Sequence, residues 1–143
     1  DPTYVIVTIA SGIVIFFLYS HLKKHWNLFL KFDAIGLGVF TIIGATFAYN
    51  IFGLNFLAIL LAGILTAVGG GILRDIFVNQ VPIVFVKEFY LSASFIGIVI
   101  FSIILYFTDE LYYATIVGIV LTTSLRLIAM KYNWNLPKVK NTD

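Results

Sequence analysis

The chain has 143 residues, of which 61% are hydrophobic and only 11% are charged. A typical soluble domain carries about 25% charged residues, so a soluble protein of this length could not hide so much apolar surface. The absence of Cys from the sequence excludes disulfides, thiolate metal sites and a cysteine nucleophile. Because apolar runs recur along the whole length, the composition predicts an all-α, polytopic membrane protein.

Five apolar runs predict five transmembrane helices, separated by short polar connectors. The predicted spans cover about residues 4–19, 33–49, 56–73, 89–107 and 111–130. A basic connector at 21–32 follows the first span, and a polar, flexible tail occupies 131–143. Asp33 is expected to open the second span, either as a helix N-cap or as a charged group that faces the protein interior.

The charges predict the orientation of these spans in the membrane. All nine Lys and Arg residues follow the first or third span or lie at or beyond the end of the fifth, and therefore fall on one side. The opposite side carries Asp1, Asp109 and Glu110. By the positive-inside rule, the carboxyl terminus is cytoplasmic and the amino terminus of this segment lies outside.

The stretch from Thr66 to Tyr90 is the candidate functional site. It contains the glycines Gly69–Gly71, the pair Arg74 and Asp75, then Pro82 and the pair Lys87 and Glu88. Gly costs about 1 kcal/mol and Pro about 3 kcal/mol of helix preference, so we expect the third helix to break at the glycines. The run between the two charged pairs is too short to cross a bilayer and too apolar for an ordinary loop.

A helix that stops part-way and restarts exposes helix dipoles and free main-chain groups, which membrane transport proteins use to bind ions and substrates. The alternative interpretation is that both pairs are ordinary charges at the level of the lipid head groups. Arg126, close to the end of the last span, has the same two interpretations. It either reaches the head groups or joins Asp33, Arg74 and Lys87 in one cytoplasmic polar cluster.

Small residues in the third span recur every four positions, which places them on one helix face. Such a face allows a second helix to approach closely. The two rows are Ala58, Ala62, Thr66, Gly70 and Gly63, Ala67, Gly71. Gly44 and Ala48 in the second span predict a matching groove.

The sequence gives no support for an enzyme, a metal site or a nucleic-acid-binding protein. No serine triad or catalytic carboxylate pair can be identified, so the chain is predicted not to be an enzyme and to need no cofactor. His21 and His25 have helical spacing but lack a third ligand, which argues against a metal site. The basic residues are too sparse and too confined to one membrane face for nucleic-acid binding.

Two segments resemble the second repeat of the prokaryotic trimeric intracellular cation channel family. They are GGGILRDIFVNQVPIVFVKEFY, from Gly69 to Tyr90, and FDAIGLGVFTIIGA, from Phe32 to Ala45. Bacterial members with this domain are often labelled glycine transporters. The resemblance implies seven spans, built as two inverted three-helix repeats and a last helix, of which this chain would contain five.

The resemblance also implies a division of the chain. Residues 1–20 would be the last helix of a first repeat, whose two other spans lie upstream, and 21–32 a cytoplasmic connector. Residues 33–108 would be the second repeat, with the glycine break at 69–71. Residues 109–130 would form the final helix, and 131–143 the cytoplasmic tail.

The function implied by the resemblance is a homotrimer in which each subunit encloses its own cation pore, with potassium as the main ion. Gly69, Gly70 and Gly71 would kink the pore helix. Arg74, Asp75, Lys87 and Glu88 would hold its cytoplasmic end, with Asp33 on the facing helix. Neighbouring basic residues would gate the pore or contact membrane lipids, including anionic head groups.

The sequence therefore predicts a multi-pass subunit of a monovalent cation channel in the cell membrane, working by passive, gated permeation. Main-chain carbonyls and the hydroxyl of Thr66 would replace part of the hydration of the ion. The alternative function is a secondary transporter of a small solute such as glycine, because a broken helix could equally bind a carboxylate. A third possibility is a purely structural or assembly subunit.

Overall fold

A computed structural model describes residues 2–24, 26–77, 79, 81–86, 89–132 and 134. Every secondary-structure element within these residues is helical. The helices are α1 (Pro2–Lys24), α2 (Trp26–Phe52), α3 (Phe56–Phe77), α4 (Ile83–Val86), α5 (Phe89–Thr108) and α6 (Leu111–Lys131). The all-α prediction is confirmed.

Four stretches of the described residues are long and apolar enough to cross a membrane. They are Leu30–Phe52, Phe56–Phe77, Phe89–Thr108 and Leu111–Lys131. These stretches coincide with the second to fifth predicted spans, so the chain is a polytopic membrane protein as expected. Where the first span was predicted, the described part of α1 carries a shorter apolar stretch, Val5–Val14.

The predicted connector at 21–32 is mostly helical. Helix α1 continues to Lys24 and α2 begins at Trp26, well before the predicted start at Asp33. Asp33 therefore lies inside α2, and its interpretation as a helix N-cap is wrong. The physical reason is that hydrophobicity marks where a helix crosses the bilayer, whereas helical hydrogen bonding continues into water whenever the residues permit it.

The predicted break at Gly69–Gly71 is also wrong in position. Helix α3 passes through the three glycines and ends only at Phe77. The helical path is interrupted afterwards, where Asn79 adopts a φ of 55° and Pro82 precedes α4. Pro disfavours the helical conformation of the residue before it, whereas Gly only weakens a helix whose main-chain bonds the membrane favours. Whether the glycines bend α3 remains a prediction.

The chain divides into two compact units, residues 1–33 and 34–143. The first contains α1 and the beginning of α2, and the second contains the remainder of α2 and α3 to α6. In the second unit, short connections after α2 and α5 make α2 antiparallel to α3 and α5 antiparallel to α6. Gly53 ends α2 with a φ of 62° and donates its N–H to the carbonyl of Tyr49 at 2.9 Å.

Helices of the second unit approach one another at glycines where an added Cβ would collide with a neighbour. These are Gly38, Gly44, Gly63, Gly97 and Gly118. A Cβ at Gly44 would lie 2.5 Å from the carbonyl oxygen of Ala62 and 2.6 Å from Oγ1 of Thr66. Lipid offers no hydrophobic driving force between helices, so such close contacts are a main source of stability. The predicted groove at Gly44 is confirmed.

Two apolar clusters form the core of this unit. The first comprises Ile42, Ala45, Ala48, Ile59, Ile98, Phe101, Leu105 and Ala114. The second, which we call the α5-start cluster, comprises Leu37, Ala67, Val68, Tyr90 and Ala93. The hydroxyls of Thr41 and Ser94 lie 3.0 Å apart and link α2 to α5 through the buried interior.

The turn between α5 and α6 is fixed by a tyrosine from α2. Asp109 adopts a φ of 54°, and its carboxylate accepts a hydrogen bond of 3.3 Å from the hydroxyl of Tyr49. Exposed aromatic rings flank the turn, at Tyr106, Phe107, Tyr112 and Tyr113. Aromatic rings of this kind concentrate at the interface between membrane and water, so this end of the second unit lies at one membrane surface.

We expect alanine at Gly44 to lower stability and alanine at Gly70 to leave it unchanged or raise it. Gly44→Ala places a methyl group against the main chain of α3 and should lower the free energy of unfolding by about 1–3 kcal/mol. A Cβ at Gly70 meets no described residue within 4 Å, so Gly70→Ala should preserve stability or raise it by up to about 1 kcal/mol through helix preference. Unfolding of the detergent-solubilised variants measures both changes in stability. Equal losses of stability at Gly44 and Gly70 would contradict the packing of Gly44 against α3.

Candidate functional site

The three consecutive glycines of α3 differ from the glycines at the helix contacts. A Cβ at Gly69 or Gly70 would have no neighbouring group of the described residues within 4 Å. At Gly71 the nearest atom would be Nη2 of Arg74, at 3.9 Å. Gly70 is exposed and the other two are half-buried. Helix packing in the described part of the chain therefore does not require glycine at these positions.

Thr66 lies one helical turn before Gly70. Its side chain is exposed on one side, while its Oγ1 lies beside Gly44 of α2. The hydroxyl thus marks the edge of the α2–α3 contact, where the packed part of α3 meets its open glycine face.

Arg74 and Asp75 form an ion pair near the end of α3. Nε of Arg74 donates to Oδ1 of Asp75 at 2.8 Å. The side chain of Arg74 is 39% exposed, whereas that of Asp75 is 7% exposed. An ion pair with one partly exposed member contributes modestly to stability, at most about 1 kcal/mol.

The second oxygen of Asp75 closes the interruption after α3. Oδ2 accepts the main-chain N–H of Ile83, the first residue of α4, at 2.9 Å. Helix α4 has only four residues, so it cannot satisfy its own first N–H groups. Asp75 therefore acts as a cap supplied from another helix, and it fixes α4 against the end of α3.

Beside this cap lies a small cavity with charged and apolar walls. Its lining residues are Val68, Gly71, Ile72, Arg74, Asp75, Ile83, Val84 and Tyr90. The cavity connects the last of the three glycines to the ion pair, to α4 and to the start of α5.

Arg126 of α6 is buried, with 3% of its surface exposed. Its guanidinium carbon lies 4.7 Å from the centroid of the Tyr90 ring. A cation over an aromatic face gains about 2 kcal/mol or more when water is excluded. The alternative that Arg126 extends outward to the lipid head groups is therefore wrong.

The predicted polar cluster is assembled in part. Arg74, Asp75 and Arg126 lie at the same end of the second unit, around Tyr90. Asp33 is half-buried and belongs to the first unit, so its part in the cluster stays a prediction. Lys87 and Glu88 lie outside the described residues. We call the end with Arg74, Arg126 and Lys131 the basic end.

Two members of the site lie in the predicted stretch but were not singled out as site residues. Tyr90 resembles many other aromatic residues in the chain, and nothing in its spacing distinguishes it. The N–H of Ile83 is a main-chain group, and the signal that could have found it is Pro82 before a short apolar run, a pattern typical of a helix start. No group of three or more His, Asp or Glu among the described residues has the arrangement of metal ligands.

Comparisons with known proteins cover nearly the whole chain. Residues 30–106 match the family profile described as Glycine transporter. The UPF0126 inner membrane protein YadS of Escherichia coli is 32% identical over 140 residues, which are 96% of this chain and 67% of that protein. The UPF0126 membrane protein YvgT of Bacillus subtilis is 33% identical over 94% of this chain and 65% of its own length. The chain thus spans about two thirds of these relatives.

Solved structures of cation channels have the same fold. One, from work on conductance through TRIC cation channels, has a TM-score of 0.87 and 34% identity, and covers 99% of this chain and 69% of that one. The trimeric intracellular cation channel orthologue from Rhodobacter sphaeroides has a TM-score of 0.85 and 25% identity over 94% of this chain. These relatives are membrane channels, which confirms the prediction that the chain is not an enzyme. The chain belongs to the trimeric intracellular cation (TRIC) channel family.

Proposed function

We propose that the chain is part of a gated cation channel of the cell membrane, with potassium as the main permeating ion. The observation that carries the proposal is the open face of α3, where a Cβ at Gly69 or Gly70 would meet no described residue within 4 Å, in contrast to Gly44 and Gly63 of the same helix pair. Similarity to TRIC channels over almost the entire chain supports it. By analogy with the trimeric relative, the functional unit is a homotrimer with a pore inside each protomer.

The glycine face suits a path for a partly dehydrated cation. Without side chains at three successive positions, the carbonyl oxygens of α3 are more accessible than on an ordinary helix. Carbonyl and hydroxyl oxygens replace the hydration shell of an ion in selective pores. Gly69, Gly70, Gly71 and Thr66 would supply these oxygens, and a bend of α3 at the glycines would widen or narrow the path.

Arg74 and Arg126, both at the basic end, would form the gate. Arg74 is partly exposed and paired with Asp75, while Arg126 is buried with its guanidinium over the ring of Tyr90. Positive charge next to a cation path raises its electrostatic barrier, so moving these groups would change the open probability. Lys87, Glu88 and Asp33 are included in this gate from the sequence. Anionic lipid head groups would be its natural ligands on the cytoplasmic side.

The proposed orientation places the basic end in the cytoplasm and the amino terminus of this segment outside. The positions of Arg74, Arg126 and Lys131 at one end, with Asp109 and Glu110 at the other, support this orientation. Within it, residues 33–108 form one three-helix repeat of an inverted pair, 1–20 end the other repeat, and 109–130 are the final helix. Residues 131–143 are the cytoplasmic tail.

The second candidate function is a carrier for a small solute such as glycine. The match of residues 30–106 to a profile described as Glycine transporter favours it. In that function, the open face of α3 and the cavity beside Asp75 would hold a substrate during alternating access. Saturable transport distinguishes this function from the channel.

The first test is single-channel recording of the purified full-length protein in planar bilayers under a potassium gradient. We expect discrete unitary currents that reverse near the potassium equilibrium potential. If the bilayers show no unitary current and liposomes of the same preparation take up glycine saturably, the carrier function replaces the channel function.

Neutralising the proposed gate should change gating more than conduction. Arg74→Gln and Lys87→Gln should alter the open probability or its dependence on anionic lipid, because each removes a positive charge from the gate. Lys131→Gln is the matched control, since Lys131 is exposed at the same end and lies over the ring of Tyr132. If open probability and lipid dependence stay unchanged in both gate variants, the proposed gate is wrong.

Removing the cap of α4 should loosen the segment after α3. Asp75→Ala leaves the partly buried N–H of Ile83 without its acceptor, which costs up to about 1–3 kcal/mol. Asp75→Asn retains an oxygen acceptor and should lose less. Arg74→Gln removes only the ion pair and should cost at most about 1 kcal/mol. Hydrogen exchange of residues 81–86 and thermal unfolding measure the loss of stability in each variant. Equal losses in Asp75→Ala and Arg74→Gln would contradict the role of Asp75 as the cap of α4.

A further inference from the structure

The end of α6 contacts the first two residues of α5 at two points. The guanidinium of Arg126 lies over the ring of Tyr90, at 4.7 Å from its centroid. Beyond the helix end, the ring of Trp134 meets Phe89 edge-on, with 5.4 Å between centroids and 76° between planes. The first contact belongs to the site described above, whereas the second has no assigned role.

Main-chain hydrogen bonds hold Trp134 in place. Its N–H donates to the carbonyl of Ala129 at 2.9 Å, and the N–H of Tyr132 donates to the carbonyl of Ile128 at 3.0 Å. The first of these bonds spans five residues and ties the main chain of Trp134 back to the last turn of α6. The side chain of Trp134 is 46% exposed, and its ring contacts Phe89.

Phe89 connects Trp134 to the rest of the site. It packs against the α5-start cluster, as do Ile83 and Val84 of α4. Helix α4 is in turn tied to α3 by the bond from Ile83 to Asp75. Asp75 thus holds the start of α4, and Trp134 contacts the start of α5.

We propose that Trp134 is a positioning residue that braces the start of α5 from the end of α6, and thereby holds Phe89 against the α5-start cluster. Its effect on gating rests on the proposed channel function, whereas the brace itself is a property of the fold. An edge-on aromatic pair has a preferred geometry, so its loss frees Phe89 to move with α4. Among the described residues, the ring of Trp134 has its aromatic contact with Phe89, and the proposed brace acts through this contact.

Hydrogen exchange of the full-length protein in lipid nanodiscs tests the brace. Trp134→Ala should accelerate exchange across residues 81–91 by about 2- to 10-fold, the range expected from losing one aromatic pair. Trp134→Phe keeps an aromatic edge and should retain most of the protection. Tyr132→Ala is the matched control, because Tyr132 is 62% exposed and is stacked by Lys131 on the same turn. If Trp134→Ala does not fold, Trp134→Leu replaces it with the same expected direction.

Unchanged exchange in the Trp134 variant, or equal acceleration by Tyr132→Ala, would overturn the brace. In bilayers, Trp134→Ala should change the open probability by a similar factor while the unitary conductance stays the same, with Trp134→Phe restoring the wild-type value. A changed conductance with unchanged open probability would overturn the positioning role. If the wild-type protein carries no unitary current, the channel function fails, and the exchange result alone decides whether Trp134 braces α5.

Discussion

The structure of the site depends on one constraint, which is that main-chain groups near a membrane must be hydrogen-bonded. The chain leaves its helical path after Phe77 and resumes it at Ile83. Where the path resumes, a single carboxylate supplies the missing acceptor for the N–H of Ile83, and it also binds Arg74. The charge of Asp75 is tolerated at low exposure because both of its oxygens have donors. Without this carboxylate, the N–H of Ile83 would lose its acceptor, and α4 would be held near α3 by the apolar packing of Ile83 and Val84.

Glycine has two distinct roles in this chain. At Gly44 and Gly118 the absence of Cβ brings helices into contact, and an added Cβ would lie 2.6 Å from Cδ1 of Ile42 at Gly118. At Gly69 and Gly70 no such contact exists among the described residues. The first role stabilises the fold and the second leaves a helix surface open. Composition alone cannot separate them, because both kinds of glycine lie in equally apolar helices.

Much of the architecture could be predicted because apolar length determines where a helix crosses the bilayer. The spans ending near Thr108 and Lys131 agree with the sequence within a residue or two. Helix ends outside the bilayer could not be located this way, and for that reason Asp33 was misplaced at a helix start. The break after α3 was assigned to Gly69–Gly71, because a summed helix preference does not include the strong need for paired amides in a membrane.

The candidate site was only partly predictable for a different reason. Arg74 and Asp75 were recognisable as charges in an apolar context, and Arg126 as a buried cation or a head-group contact. The sequence does not show which of those alternatives holds for Arg126, because this depends on the ring of Tyr90 from another helix. The contact between Phe89 and Trp134 likewise joins residues far apart in sequence, with no periodicity to reveal it.

Helix α2 contacts three other helices of its unit, and these become available at different times during synthesis. Gly44 meets α3, the next long helix to emerge from the ribosome, whereas Thr41 bonds Ser94 of α5. Gly38 packs against Thr123 of α6, which is made after α3 and α5. Part of the α2 surface must therefore wait beside the insertion machinery or in lipid until α6 has been made. The positions of small and hydroxyl residues along α2 thus determine which helix contact can form at each stage of membrane insertion, as well as the packing of the final fold.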